Sequence, residues 1–319
     1  MQLAYTNAAA WVDIYGQRKG LGQLPKDPSL FSPPPDGIPA GIINADDSTH
    51  SRYRRLLAHA FSTKALEEQQ PLISSYVDLL IQRLTENAPR GPQNMVAWYN
   101  WTTFDLIGDL AFGEPFGCLE DQHYHPWITR IFGHIRAGQY IQLLRRFGLD
   151  RLIRWIVPKG LAKERLAHWD YVRSKVFSRL KRGTERPDFM SCILRNQGKE
   201  GELTKEELLP NASTIIIAGS ETTATLLSGS TYYLLKNPKV LQKVVEEIRQ
   251  AFKSDEDIDL ASCARLNYML AVLNESLRIY PPVPIGIPRI IMNKDGEMID
   301  GGWVPKNVRL PCFISLNRD

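Results

Sequence analysis

A polar interruption in the middle of an apolar helix is the strongest chemical feature of the sequence. Residues 211–230 read NASTIIIAGSETTATLLSGS, and they place Gly219, Glu221 and Thr222 between two apolar runs. A glycine inside a helix costs about 1 kcal/mol relative to alanine, and a buried carboxylate costs more unless it is paired or neutral. Gly219 would let a flat ligand approach the backbone, and the acid and hydroxyl suit proton delivery. The alternative is a polar patch that faces a neighbouring helix.

Two basic features could bind an anionic ligand. His50 and Arg54, in HSRYRRLL, are four residues apart and share one face of a helix, which suits a pair of carboxylates or phosphates. Arg289 is a single arginine in the apolar run IPRII, and it needs an anion if it is buried. The alternative in both cases is a solvated basic side chain.

A third feature is an acid and a base on the same helix face. Glu275 and Arg278, in NESLRIYPP, are three residues apart and can form an ion pair. An exposed pair contributes under about 1 kcal/mol, so the spacing also fits a solvated pair. The Tyr-Pro-Pro sequence that follows ends the helix.

The elements that must position these residues are mainly helical, with a small β-sheet. Helical apolar spacing begins near Ser48 and recurs over 65–87, 95–113, 126–182 (broken near Gly148 and Pro158), 238–253 and 266–280. Thr204 and Glu207 predict a capping box, and Pro210 predicts a kink or a restart of the helix that carries Gly219. Residues 21–49 are predicted to be a loop because they are rich in Pro and Gly. From Pro281 onward, short β-prone runs alternate with turn signals.

Composition excludes several classes of protein. The chain has 319 residues, 43% hydrophobic and 23% charged, as in ordinary globular proteins. The net charge of +4 is too small to indicate a nucleic-acid partner. The cysteines have no CxxC spacing, which argues against a zinc site or a disulfide scaffold. No apolar run is long enough for a signal peptide or a membrane span, so a cytoplasmic or peripheral-membrane location is expected.

Taken in chain order, the motifs resemble the cytochrome P-450 superfamily of haem-thiolate monooxygenases. The resemblance rests on AGSETT, then NPKVLQKVVEEIRQAF, then NESLRIYPPVP. HSRYRRLLAHAFS, TFDLIGDLAFGEPFG and RPDFMSCIL are similar to the filamentous-fungal branch that works on secondary metabolites. The resemblance to the superfamily covers nearly the whole chain, and it implies a single incomplete domain over residues 1–319.

The resemblance implies a role for each candidate residue. Gly219 would leave room for oxygen on the distal face of haem, and Glu221 with Thr222 would relay protons. The pair Glu275 and Arg278 would be structural, behind the haem. The haem propionates would be bound by His50, Arg54 and Arg289, and the substrate pocket would be bordered by Leu24–Ile43 and Pro284–Ile287.

The resemblance also implies a reaction and partners. The family reaction is hydroxylation or epoxidation of a lipophilic small molecule, with haem, oxygen and an NADPH-dependent flavin reductase, at the endoplasmic-reticulum membrane. Residues 139–157, QYIQLLRRFGLDRLIRWIV, mix apolar and aromatic side chains with arginines, which is typical of a segment that touches a membrane surface. The alternative is a helix pair packed on the core.

Two parts of the family pattern do not occur in the sequence. These are the N-terminal anchor and the F-x-x-G-x-R-x-C-x-G loop whose cysteine binds iron. Cys312, in RLPCFISL, lacks the flanking Gly and Arg and is predicted to be a small core residue rather than a ligand. On this basis the chain as written is expected to form no thiolate-ligated haem and to be inactive. The alternative function is a non-catalytic protein that binds a hydrophobic ligand or a partner.

Overall fold

The fold is mainly helical with small antiparallel β-ribbons, which confirms the predicted fold class. The computed structural model describes residues 1–16, 22–28, 37–152, 155, 158–183, 186, 188–194, 202–284 and 286–312. Within that part of the chain, no helix combines the length and the apolar character that crossing a bilayer requires.

The helices follow the predicted periodicity closely. Their bounds are α1 Ala8–Tyr15, α2 Asp47–Ala58, α3 Thr63–Asn87, α4 Met95–Phe112, α5 Cys118–Asp121, α6 Pro126–Arg146, α7 Lys159–Lys181, α8 Phe189–Leu194, α9 Lys205–Lys236, α10 Pro238–Ala251, α11 Leu260–Cys263 and α12 Asn267–Ile279. Single 3-10 turns lie at His59–Phe61, Ala88–Arg90, Asp150–Leu152 and Asp255–Asp257. Side chains cap several of these helices, and Asp46 accepts the amides of Ser48 and Thr49 at the start of α2.

The long helix α9 starts at the predicted capping box and runs without interruption. Thr204 and Glu207 exchange both capping hydrogen bonds. The restart that Pro210 suggested is not observed, because the helix is continuous over 32 residues with Pro210 inside it. A proline at this position removes the hydrogen-bond donor for the Glu206 carbonyl, and its ring crowds that carbonyl, but neither effect ends the helix. Pro210 is also buried, and its ring lies against Gly41.

The strands form two separate two-stranded ribbons. Strand β1 (Arg289–Ile290) pairs with β4 (Arg309–Leu310), and β2 (Glu297–Ile299) pairs with β3 (Gly302–Val304), both antiparallel. The N-terminal segment joins β4 through parallel bridges from Gln2 to Arg309 and from Tyr5 to Cys312.

Three apolar clusters are found among the described residues, and two of them form the cores that bear on the site. The third, of Tyr76, Leu80, Trp98 and Leu119, lies among α3, α4 and α5. The larger core lies among α2, α4, α6, α7, α8 and α9 and includes Phe104, Trp127 and Ile216. The smaller core joins α1 to the ribbons and includes Ile14, Ile291 and Leu310. The helices that carry His50, Arg54 and Gly219 therefore belong to the larger core, whereas Arg289 belongs to a ribbon of the smaller one.

Candidate functional site

An open apolar cavity of about 640 Å³ lies between α2, α4, α8 and α9. Its lining consists of Ile42, Arg54, Leu57, Ala58, Phe61, Ile107, Phe189, Thr214, Ile215, Ala218 and Gly219. The cavity thus brings Arg54 of the basic motif together with Gly219 of the interrupted helix. An apolar hollow with a few convergent polar groups is the usual form of a small-molecule or cofactor site.

Gly219 borders the cavity and also allows close packing between helices. A methyl group at this position would lie 2.7 Å from Cδ1 of Ile107 on α4. The glycine therefore lets α9 approach α4, which is the role that the alternative interpretation of the segment requires. Gly219 also faces the cavity, as approach of a ligand would require. The geometry is therefore compatible with both close helix packing and ligand approach.

Glu221 and Thr222 have different surroundings although they are adjacent. The Thr222 hydroxyl donates to the carbonyl of Ala218 at 2.6 Å, so the hydroxyl oxygen can still accept a hydrogen bond. Burial raises the pKa of Glu221, so its carboxyl stays protonated to a higher pH than usual. The charge of Glu221 adds to burial in raising the pKa of Tyr124, which places that phenol close to the carboxyl. A carboxyl whose pKa is raised and a hydroxyl with a free acceptor are both suited to proton transfer.

The basic residues converge, together with a lysine that sequence reasoning missed. Burial, then the positive charges of Lys26 and Arg54, lower the pKa of His50, and Arg289 adds to the effect. The Lys26 ammonium donates to the carbonyls of Ile43 and Ala45 at 2.7 and 3.2 Å. Lys26 also forms a β-bridge with Arg289. No periodic signal marks Lys26 in its Pro- and Gly-rich surroundings, so only the tertiary fold reveals it.

We call Lys26, His50, Arg54 and Arg289 the cationic cluster. Within it, Arg289 gives the strongest indication of an anionic ligand. Burial lowers the pKa of its guanidinium, which lies 5.9 Å from the ring centroid of Tyr15. Its Nε is buried and has no hydrogen-bond partner among the described residues. A buried donor without an acceptor, beside three other basic groups, fits an anionic ligand. The carboxylates of haem match this requirement, so these residues fit that group.

Glu275 and Arg278 form the expected ion pair, but the pair does not lie at the cavity lined by Arg54 and Gly219. Two hydrogen bonds of 2.7 Å join them, and both side chains are about half exposed. Arg278 lowers the pKa of Glu275. Glu275 lines a second open cavity of about 400 Å³ between α9, α10 and α12, and that lining shares no residue with the first cavity.

Cys312 lies in the smaller core, where its surroundings disfavour the thiolate form. Its amide donates to the Tyr15 hydroxyl at 3.1 Å, and burial raises the pKa of its thiol. Among the described residues, no group of three or more His, Cys, Asp or Glu side chains could hold a metal ion.

Residues 24–43, predicted to border the substrate pocket, and residues 139–157, predicted to touch a membrane, each contain residues with different surroundings. Ile42 lines the cavity, whereas Leu24 lies in the smaller core; residues 29–36 and 285 lie outside the described residues. Over 139–157, Ile141 and Leu144 are buried. Phe147, Leu149, Leu152 and Trp155 are exposed, and 153–154 and 156–157 are not described.

Comparisons with known proteins agree on one family. The family profile described as cytochrome P-450 matches residues 22–318. Averantin hydroxylase of Dothistroma septosporum is 45% identical over 304 residues, which cover 95% of this chain and 57% of that protein. Cytochrome P-450 monooxygenase astA of Talaromyces wortmannii is 45% identical over 305 residues, 95% of this chain and 61% of that protein. Cytochrome P-450 monooxygenase efuB of Hormonema carpetanum is 41% identical over 314 residues, with 96% and 62% covered. The chain thus spans about three fifths of the length of these curated relatives.

Proposed function

The chain belongs to the cytochrome P-450 family, and from this premise we propose that it forms the distal wall and the carboxylate-binding cations of a haem monooxygenase site. The reaction is hydroxylation or epoxidation of a lipophilic small molecule in fungal secondary metabolism. One observation carries the proposal: Arg54 and Gly219 line one apolar cavity, and Arg54 belongs to a cluster of basic groups that contains a buried unpaired donor.

Each residue has a defined part in this site. Arg54, Arg289, His50 and Lys26 would hold the haem carboxylates, because they are the cations of the cluster. When bound, haem supplies the iron at which oxygen is activated. Thr222 would hold a water molecule through its free acceptor, and Glu221, whose pKa is raised by burial, would resupply the proton. Ile107, Phe189 and Ile215 keep the cavity apolar, which suits a lipophilic substrate.

The overall reaction requires an electron donor. A substrate R–H, dioxygen, NADPH and a proton yield R–OH, water, and NADP⁺, so one oxygen atom enters the product and the other leaves as water. A flavin-containing reductase that takes a hydride from NADPH would deliver the two electrons one at a time, and we propose such a partner. Glu275 and Arg278 would be structural in this scheme.

The cation assignment is tested by haem titration of the purified chain. Arg54→Gln should weaken haem binding about tenfold or more, since a hydrogen bond to a charged group is worth about 1.5–3 kcal/mol and about 1.4 kcal/mol is a factor of ten in affinity. Arg55→Gln is the matched control, because Arg55 is an exposed arginine on the same helix and is not part of the cavity lining. Equal haem affinity in wild type and both variants would reject the assignment.

The reaction itself is tested with isotopic oxygen. The chain, continued at its C-terminus by the corresponding segment of a curated relative so that the iron-binding cysteine loop is present, would be loaded with haem. It would be incubated with NADPH, a flavin-containing reductase and a panel of lipophilic compounds under ¹⁸O₂, and a product with one added ¹⁸O atom is expected. A second candidate, non-catalytic binding of a hydrophobic ligand, is favoured by the same apolar walls. It predicts that a solvatochromic dye binds in the cavity while no compound gains ¹⁸O.

A further inference from the structure

Glu207, in the first turn of α9, accepts hydrogen bonds from two elements at once. The guanidinium of Arg52 on α2 donates through Nη2 to Oε1 at 2.5 Å and through Nη1 to Oε2 at 3.2 Å. The Thr204 amide donates to Oε2 at 2.9 Å and completes the capping box. Burial, then the neighbouring Glu207 carboxylate, raise the pKa of the Tyr53 phenol to about 12, so this buried side chain also faces the pair. One side chain therefore caps α9 and binds α2.

Arg52 makes further contacts besides its ion pair with Glu207. Its Nη1 also donates to the Glu202 carbonyl at 2.9 Å, and its guanidinium lies 4.8 Å from the ring centroid of Tyr53. Both side chains of the pair are mostly buried, at 26% and 14% exposure. A bidentate pair with such limited exposure has much better-defined geometry than a surface ion pair.

The pair is ionised at neutral pH. Burial alone would raise the pKa of Glu207, but hydrogen bonds from Arg52, the Thr204 amide and Tyr53 outweigh it, so the net pKa is lowered. Its hydrogen bond to Glu207 raises the pKa of Arg52. Charged forms of both groups therefore persist in the folded state.

The next turn of α9 extends this anchorage to the cavity. Asn211 is buried, and its side-chain oxygen accepts the amide of Ile42 at 2.8 Å. Its side-chain nitrogen donates to the Glu207 carbonyl at 2.8 Å. Glu207 and Asn211 thus fix two segments that reach the cavity, α2 and the stretch at Ile42, against the same end of α9.

Arg52 is two residues from both His50 and Arg54 along α2. Two residues correspond to a rotation of about 200°, so Arg52 lies on the face of α2 nearly opposite to both of them. The ion pair with Glu207 therefore fixes one face of α2 to α9, and the opposite face carries His50 and Arg54.

We infer that Glu207, acting through Arg52, is a positioning residue that sets where His50 and Arg54 stand relative to α9. Their role toward haem carboxylates rests on the proposed function. The positioning itself is a property of the chain without haem.

The test follows the titration of His50 by NMR in the full chain without haem. Glu207→Gln removes the charge of the pair but keeps an amide that can complete a capping box. Removal of a negative charge by itself would lower the pKa of His50. A rise towards its ordinary value of 6.5 would therefore report that α2 has moved away from Lys26, Arg289 and its buried surroundings. We expect that rise in Glu207→Gln. Arg52→Gln is not decisive, because removal of its positive charge would raise the pKa of His50 even if α2 did not move.

Glu206→Gln is the matched control, because Glu206 carries the same charge in the same helical turn but is exposed. It should leave the His50 titration unchanged. Haem titration supplies a second readout, with binding about tenfold weaker in Glu207→Gln and unchanged in Glu206→Gln. If wild type binds no haem, the proposed function fails while the His50 titration still decides the positioning. An identical or lowered His50 pKa in Glu207→Gln would overturn the inference.

Discussion

At the scale of single residues, His50 has an imidazole whose protonation the fold opposes. Burial and the charges of Lys26, Arg54 and Arg289 lower its pKa below 6.5, and only Asp47 acts in the other direction. The unfolded chain therefore binds more protons than the folded chain between the lowered pKa and 6.5. The free energy of unfolding should fall as the pH falls through this window, and it should level off below the lowered pKa.

Urea unfolding at pH values from about 5 to about 8 measures this effect. His50→Gln should lose the part of the pH dependence that His50 contributes, so wild type should lose stability relative to His50→Gln as the pH falls through the window. A stability difference between wild type and His50→Gln that does not vary with pH would show that His50 titrates normally in the folded chain.

Thr222 has an acceptor that the fold leaves free, because its hydroxyl proton is already donated to Ala218. In the chain continued at its C-terminus by the corresponding segment of a curated relative, loaded with haem and supplied with a reductase, Thr222→Ala should reduce the product formed per oxygen consumed. Loss of a positioned proton-transfer group typically costs about 10²–10⁴-fold in rate. Thr222→Ser should keep most of the yield. Thr223→Ala is the control, because Thr223 is an adjacent exposed threonine. A full product yield in Thr222→Ala would leave the residue a role in the helix alone.

At the scale of elements, local signals predicted more than tertiary ones. The capping box at Thr204 and the i, i+4 placement of His50 and Arg54 depend on residues close in sequence, and the helices have the predicted bounds to within a few residues. Helix α8 was not predicted, because six residues are too few to show a helical period. Lys26 and the contact between Arg52 and Glu207 were also missed, since both depend on segments that meet only in the folded chain.

The end of α6 and the segment after it give the membrane hypothesis a defined surface. Phe147, Leu152 and Trp155 are exposed, and Trp155 is 81% exposed, whereas Ile141 and Leu144 pack inward. In flotation with anionic vesicles, the double variant Leu152→Asp, Trp155→Ala should partition at least about tenfold less than wild type. That loss corresponds to roughly 1.4 kcal/mol, less than the burial of one large apolar side chain contributes.

A control variant separates this surface from apolar exposure in general. Ile81 is also exposed, at 57%, but it lies on α3, so Ile81→Asp should float like wild type. Equal recovery of wild type and the double variant would show that the exposed side chains of this segment do not bind the bilayer.

At the scale of the whole molecule, the cationic cluster joins the two apolar cores. Lys26 and Arg289 come from the side of the smaller core, and His50 and Arg54 come from α2 in the larger one. Without an anion, repulsion among these groups works against contact between the two parts. Burial is the main cause of the lowered pKa values of Lys26 and His50, and the neighbouring positive charges add to it. A dicarboxylate ligand such as haem would remove that repulsion and bind both parts together.

Haem should therefore raise the unfolding midpoint and make the two cores unfold together. A ligand that binds only the folded chain adds about 2.7 kcal/mol when its free concentration is about 100 times Kd. Thermal unfolding followed by tryptophan fluorescence reports mainly the larger core, which contains Trp127 and Trp169, and hydrogen exchange of the β1 and β4 amides reports the smaller one. With haem, both should gain protection. Arg289→Gln should keep the gain in the larger core and reduce it in the ribbons, because the link from β1 is removed while Lys26 remains. Equal gains in wild type and Arg289→Gln would mean that Arg289 does not hold the ligand.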